Sequence, residues 1–578
     1  MRWQSTTSPQ LARPPEPIDM VSEDRATIRR EYVTSTGLGV TPARGARMIA
    51  RRQHRARVAM RVRPPDEVGE VVRDGVRIAY ETYGSGPATI LVLPTWSVLD
   101  AGHGRFQLID LARHYRVVTF DPRGNGRSDR PEGQAAYAGR EFVEDAVAVL
   151  DATGTDRAVV VACSTATHWL LGLAAEHPDR VLGAVASGTN LPLARGHDRP
   201  EIGPFHEPQR STHGWAKFNA EYWRTDFEDF LRFFFSQVWT EKHSERLIDV
   251  SVAAGLQTTP DVLIDTVGTN PMTEEEAVAL IRRTRCPWLV IHGDGDELQP
   301  HARAERLADV SGGSLVTFAG AGHCSGNRDP VRFNLLLREF TDELVGWRPR
   351  RSVWTRAQSR PRCVVMVPGS PQALERDRRI ADELRTRRPG LEVEWLVGAP
   401  LREILVRAGE TVHPAAAQLP ATGDEPGEDA FEAWRNDDER HFLSFMILLD
   451  IVREHPVDLV VADAAWGIDH HLHDNPELKS WSYAWLADAV GWPMGPEADE
   501  RRRFLVADAN AEMIEQAERY PRIRDRSMLF GSIEEVPDAP LGPGLPSART
   551  WAQDRFTLVP ADAGREISVV ADRLAELL

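Results

Sequence analysis

Lysine is almost missing: Lys217, Lys242 and Lys479 are the only three among 69 basic side chains. The arginines that fill the rest are outnumbered by 86 acids. The resulting net charge of −17 at pH 7 argues against nucleic acid as the main partner. Cysteine is sparse as well. Cys163, Cys286, Cys324 and Cys363 are scattered without CxxC spacing, which argues against a disulfide framework and against a zinc site. No apolar run approaches the ~18 residues of a membrane span. The opening Met1-Arg2-Trp3-Gln4-Ser5 starts no signal-peptide core, so a cytoplasmic location is expected. There is no internal repeat. What is present is the composition of a globular protein, 42% hydrophobic and 27% charged, and 578 residues imply two or three domains.

Residues 1–65 read as an arginine-rich arm. Thr41 to Arg63 holds eight arginines and no acid, followed by Pro64-Pro65, and reads as a solvated extension or a segment docking on an acidic surface. An α/β segment over 66–347 comes next. Val71-Val72 and Val76 to Tyr83 flank Arg73-Asp74-Gly75, a hairpin signal. The continuous apolar runs Thr89 to Leu93, Arg116 to Phe120, Val159 to Ala162, Leu182 to Ala186, Trp288 to Ile291 and Leu315 to Phe318 suit interior strands covered on both faces. Helical spacing recurs over Glu141 to Leu150 and over Phe333 to Leu344, so the alternation implies a largely parallel sheet. Between about 194 and 285 the alternation lapses into an aromatic-rich helical insert, either a lid shaping an apolar pocket or a small core of its own. A basic linker, 348–362, leads to a second α/β unit over 363–578.

Three short stretches carry the chemistry. Val159-Val160-Val161-Ala162-Cys163-Ser164-Thr165-Ala166, His292-Gly293-Asp294-Gly295-Asp296 and Ala321-Gly322-His323 each follow an apolar strand-like run. Together they supply a hydroxyl, a carboxylate and an imidazole. Serine is a weak nucleophile until a base takes its proton and an acid orients that base. Ser164 lies where a strand turns into a helix, with small Ala162 and Ala166 in place of the usual glycines of a GxSxG turn. Asp296 ends a turn that can hold a carboxylate against the histidine, with Asp294 as competitor. His323 sits on a glycine-rich loop about 27 residues beyond. No cofactor and no metal are expected. Asp469, His470, His471, His473 and Asp474 read as a polar loop rather than a metal site, since adjacent ligands seldom converge on one ion.

The order Ser…Asp…His, the stretch Ala174-Ala175-Glu176-His177-Pro178-Asp179-Arg180-Val181 and the turn Asp121-Pro122-Arg123-Gly124-Asn125-Gly126-Arg127-Ser128 resemble the α/β-hydrolase family with a helical cap, over about 66–347. The resemblance is to its serine esterases. It implies Ser164 as nucleophile, His323 as base, Asp296 as acid, and a carboxylic or thio ester of a small molecule as substrate. The oxyanion hole would take backbone N–H groups from Thr165 and, by register, from Trp96. The family commonly has His-Gly where this chain has Pro94-Thr95-Trp96, which leaves that second donor open.

The second unit resembles the N-terminal, acceptor-binding half of two-domain glycosyltransferases of the GT-B type, truncated, with a Rossmann-like fold. The likeness rests on Glu375-Arg376-Asp377, Trp395-Leu396, Asp458 to Asp463, and Phe504 to Ile514, within which Phe504 to Ala507 reads as a strand. Pro371-Gln372-Ala373 stands where relatives carry Gly-His, and no second Rossmann domain follows, so a binding or docking module is expected there. Two alternatives stay open: a decayed hydrolase that only binds, and a glycosyltransferase completed by a partner chain. The oligomeric state is not legible.

Overall fold

A computed structural model describes residues 62–346, 362–420, 430–492, 499–559 and 565–578. Most of the arginine-rich arm and nearly all of the basic linker therefore lie outside the described residues.

The first sheet has eight strands: β1 Glu67–Arg73, β2 Val76–Tyr83, β3 Thr89–Val92, β4 Arg116–Phe120, β5 Ala158–Cys163, β6 Val181–Ser187, β7 Trp288–Gly293 and β8 Ser314–Phe318. Their order is β1-β2-β4-β3-β5-β6-β7-β8. The β1–β2 hairpin pairs antiparallel and turns through Asp74 (φ 50°) and Gly75 (φ 81°), both left-handed as a two-residue turn requires. From β4 onward all pairs are parallel. The strand β5 lies mid-sheet, and Val159 and Val160 are fully buried, one packing on each face. Apolar residues run continuously there because helices cover both sides. The Asp121–Ser128 turn is a braced loop: Asp121 accepts the backbone N–H of Ala101 (3.1 Å) and of Arg127 (2.9 Å), while Arg123 forks onto buried Asp145 at 2.7 Å twice.

Between β6 and β7 lies the aromatic insert, whose helices are Ala220–Thr225, Phe227–Val238, Glu245–Gly255, Pro260–Thr266 and Glu274–Ile281. Trp223, Phe230, Phe235 and Trp239 are buried within it, with Trp223 stacked on Phe230 at 4.4 Å, so most of these rings build the insert's own core.

The second sheet is wholly parallel: β9 Cys363–Pro368, β10 Glu392–Trp395, β11 Thr411–Val412, β12 Leu459–Asp463, β13 Ser482–Ala487, β14 Arg526–Phe530 and β15 Thr557–Val559. Its order, β11-β10-β9-β12-β13-β14-β15, reverses direction between β9 and β12. Two expectations fail here. Phe504 to Ala507 is not a strand but the first part of the helix Glu500–Arg519. Asp499 caps that helix by accepting the Arg502 N–H at 2.7 Å, and Asn510 and Ile514 are buried one turn apart while Phe504 stays 48% exposed. The Asp469–Asp474 cluster is not a loop either; it belongs to the helix Trp466–Asp474, where Asp469 is buried against Arg524 (2.8 Å) and His470 faces Asp474.

The two sheets are not beads on a string. The helices Arg105–Leu111 and Pro330–Val345 of the first unit pack on the helix Ala430–Glu454 of the second, and Phe106, Ile109 and Val331 share one buried cluster with Phe442, Phe445 and Met446. Asp450 clamps that seam. It meets Arg113 at 2.6 Å, Arg338 at 2.7 Å and His114 at 3.4 Å. Burial alone would raise its carboxyl, but the hydrogen bond from His114 and the two guanidinium charges outweigh burial and hold it below the usual carboxylate range. A depressed folded-state value means the clamp contributes fully at neutral pH and is lost as pH falls below ~4. Asp450→Ala leaves two enclosed arginines to share one carboxylate, Asp110, which lies 2.9 Å from Arg113 and 3.9 Å from Arg338. A loss of about 1–3 kcal/mol is expected by urea unfolding, and a loss under 1 kcal/mol would mean the clamp is idle.

Candidate active site

The strand β5 ends at Cys163, and the helix Ala166–Glu176 starts three residues later, so the chain must turn within two residues. Ser164 makes that turn at φ 57°, one of four non-glycine residues in the left-handed region among the described residues. Its N–H donates to Ser187 O at 2.9 Å, which fixes the turn to β6. For a residue with a Cβ this conformation costs about 1–2 kcal/mol, and such strain tends to collect where a side chain must be presented. The neighbouring alanines cost nothing of the kind. Ala162 is the penultimate residue of a strand, Ala166 starts a helix, neither has a positive φ, and both are buried; what these positions need is small size rather than glycine's freedom.

Thr165 follows at the helix N-terminus, among first-turn N–H groups that have no intrahelical acceptor. Its hydroxyl accepts a hydrogen bond from Asn190 Nδ2 at 3.2 Å. Trp96 lies on the loop after β3, beside Thr95, whose hydroxyl donates to Cys163 O at 3.0 Å. The Trp96 indole reaches into the insert, donating to Thr266 Oγ1 at 2.7 Å and meeting the Phe234 ring at 5.4 Å. The loop after β3 is thus pinned to β5 on one side and to the insert on the other.

The two aspartates of the turn after β7 have different surroundings. Asp294 is exposed and accepts the Gly320 N–H. Asp296 is buried, and its Oδ2 lies 2.8 Å from His323 Nδ1. Its other oxygen, Oδ1, accepts the N–H groups of Leu298 (2.8 Å) and Gln299 (2.9 Å). His292, fully buried, brings Nε2 to 3.1 Å from Asp296 Oδ2. Sequence reasoning passed over His292; its place in the strand-end motif, four residues before Asp296, was the signal. Burial would raise the Asp296 carboxyl, yet the His323 charge and the hydrogen bonds from His292 and His323 dominate and hold it far below the usual range. The His323 imidazole is pushed the other way. Burial lowers its affinity for a proton, but the Asp296 charge and hydrogen bond raise it above the ordinary value.

His323 itself is held at both flanks. Its N–H donates to Val238 O (3.2 Å) at the end of an insert helix, and Gly322 N–H donates to Glu241 (2.6 Å). Gly188, just beyond β6, packs on the imidazole so closely that a Cβ there would stand 3.1 Å from Nδ1. Nε2 is buried and makes no hydrogen bond among the described residues. The residues adjoining Ser164 and His323 touch: Cys163 and Cys324 place their sulfurs 3.8 Å apart. Hydroxyl, imidazole and carboxylate are therefore brought to one edge of the sheet, the end from which parallel strands of such folds present their chemistry.

A family profile described as alpha/beta hydrolase fold matches residues 93–326. Residues 93–326 carry the α/β-hydrolase fold, and the chain is an enzyme of the hydrolase class. Among curated relatives, 2-hydroxymuconate semialdehyde hydrolase of Pseudomonas sp. (strain CF600) is 27% identical over 288 residues, 48% of this chain and 95% of that protein. Epoxide hydrolase B of Mycobacterium tuberculosis (strain ATCC 25618 / H37Rv) is 42% identical over 80 residues, 14% of this chain and 22% of its own length. In three dimensions, the esterase RhEst1 from Rhodococcus sp. ECU1013 aligns over 48% of this chain and 99% of its own at 25% identity, with a TM-score of 0.41.

Proposed function

We propose that this hydrolase cleaves a carboxylic or thio ester of a small molecule through an acyl-enzyme on Ser164. His323 Nε2 takes the Ser164 proton as the hydroxyl attacks the acyl carbonyl, and the imidazolium then donates that proton to the leaving alcohol or thiol. Water activated by the same nitrogen releases the acid and restores Ser164. Asp296 holds the imidazole with its proton on Nδ1. The backbone N–H groups of Thr165 and Trp96 receive the charge that develops on the carbonyl oxygen. The observation that carries this reading is Ser164 at φ 57° on the strand-to-helix turn, with the Asp296–His323 pair delivered to the same edge. The insert, tied to Trp96 and to the His323 loop, serves as the lid over the acyl pocket.

A fluorophosphonate probe tests the proposal. Stoichiometric labelling that maps to Ser164, together with turnover of a graded series of p-nitrophenyl esters, is the expected result. Folded protein that takes up no label would instead be a binding protein on a hydrolase scaffold. The pH profile offers a second check. His323 must be neutral to act as base, and its proton affinity is raised, so the acidic limb of kcat/KM is expected to lie above the ~6.5 of an ordinary imidazole. A limb at or below that value would disconnect His323 from the base.

For the second unit we propose a docking module rather than a transferase. In open parallel sheets ligands enter beyond the strand ends where the order reverses. Here that point, between β9 and β12, holds Arg376 bonded to Asp463 (3.0 Å) and also to Asp488, and Pro371-Gln372-Ala373 supplies no base. Binding of a nucleotide-sugar measured by calorimetry would overturn this assignment.

A further inference from the structure

Two cysteines that the sequence leaves 161 residues apart meet beside the candidate active site, against the expectation from their spacing. Cys163 is the last residue of β5, and Cys324 follows the loop after β8. Their sulfurs stand 3.8 Å apart. His103 completes the group from a third direction, the single turn Ala101–Gly104, which is capped by the Asp100 side chain. A ring nitrogen of His103 and the two sulfurs lie within 4.8 Å of one another.

We propose that His103, Cys163 and Cys324 form a binding site for one thiophilic divalent cation of the zinc and cadmium type. The sulfur separation is the first argument. Two thiolates at about 2.3 Å from a tetrahedral zinc ion are about 3.8 Å apart, so the pair already has the spacing of two bound ligands. The donor set is the second. Two thiolates and an imidazole suit soft and borderline cations and leave a fourth position for water, whereas calcium and magnesium ask for oxygen. The third is rigidity. Cys163 is fixed by the β5–β6 ladder, and His103 by Asn327 Nδ2, which donates to its carbonyl at 3.0 Å. Cys324 is fixed by the bond of the preceding His323 N–H to Val238 O. His103 and Cys163 are half-buried residues and Cys324 is enclosed, so the donors are largely shielded from competing water. The other cation-sized group among the described residues, His470, His471 and Asp474, contains no sulfur, so the two sites have different spectra.

Cadmium titration of the reduced full-length chain reads the site directly, with no substrate involved. The expected result is a thiolate-to-cadmium charge-transfer band in the ultraviolet that saturates at one ion per chain. Cys163→Ser and Cys324→Ser should each weaken binding at least ~10-fold and diminish the band, and His103→Ala should weaken binding by a similar factor while keeping the band. Circular dichroism of each variant shows whether it folds; if a cysteine variant does not, His103→Ala and the remaining cysteine variant decide. No charge-transfer band on the wild-type chain would overturn the proposal. So would a band and affinity unchanged in the folded variants, which would place the cation elsewhere. Loss of ester hydrolysis by Ser164→Ala with cadmium binding intact would separate this site from the catalytic assignment.

Discussion

Ser164→Ala is expected to lower kcat on p-nitrophenyl esters by about 10⁶-fold, leaving a residual rate from binding and the oxyanion donors alone. The fold should not change, because alanine keeps the Cβ and the backbone bond from residue 164 to Ser187 O. A companion variant separates chemistry from conformation. Ser164→Gly removes the hydroxyl and also relieves a left-handed φ of 57°, so it should be equally inactive yet more stable than the parent by about 1 kcal/mol. Urea unfolding and ester turnover are therefore expected to move in opposite directions at one position. Retention of activity in Ser164→Ala would make another group the nucleophile, and the adjoining Cys163 would be the first to examine. Equal stability of the glycine and alanine variants would mean the turn stores no strain.

Much of this geometry can be read from local sequence, and what cannot is long-range. Ser164, Asp296 and His323 stand out because each follows an apolar run that a buried parallel strand needs, and the Asp74-Gly75 hairpin announces itself through its turn residues. The Phe504 to Ala507 run misleads because four apolar residues fit a strand and a helix equally well, and only the flanks, the capping Asp499 before it and the buried Asn510 and Ile514 one turn apart after it, distinguish them. The strand Ser482–Ala487 escapes notice for the opposite reason: it has no β-branched residue. Partnerships across the chain leave no local mark at all. Nothing near Asp450 points to Arg113 and Arg338, and nothing near Cys163 points to Cys324. The choice between Asp294 and Asp296 lies in between: both follow the same strand, the family resemblance of the turn favours Asp296, and in the fold Asp296 is buried against an imidazole while Asp294 is exposed.

Asp296→Asn is expected to lower kcat/KM by about 10⁴-fold, and the hydrogen-bond pattern says why. Oδ1 of Asp296 accepts two backbone N–H groups, from Leu298 and Gln299, at 2.8 and 2.9 Å. In the asparagine variant only the amide oxygen can occupy that position, so the NH₂ group is forced onto the side that faces His323 Nδ1 and His292 Nε2. An amide donor pointed at Nδ1 selects the tautomer that carries its proton on Nε2. The nitrogen that should take the Ser164 proton is then already occupied, and the charge that stabilises the imidazolium is gone. Removing that charge also removes what raises the His323 proton affinity, so the acidic limb of the residual activity should move to lower pH. Asp294→Asn supplies the control. Its exposed side chain accepts the Gly320 N–H, which an amide oxygen can also accept, so a change of less than about 10-fold is expected there. A large loss at Asp294 with little at Asp296 would reverse the assignment of the acid, and with it the orientation given to the imidazole.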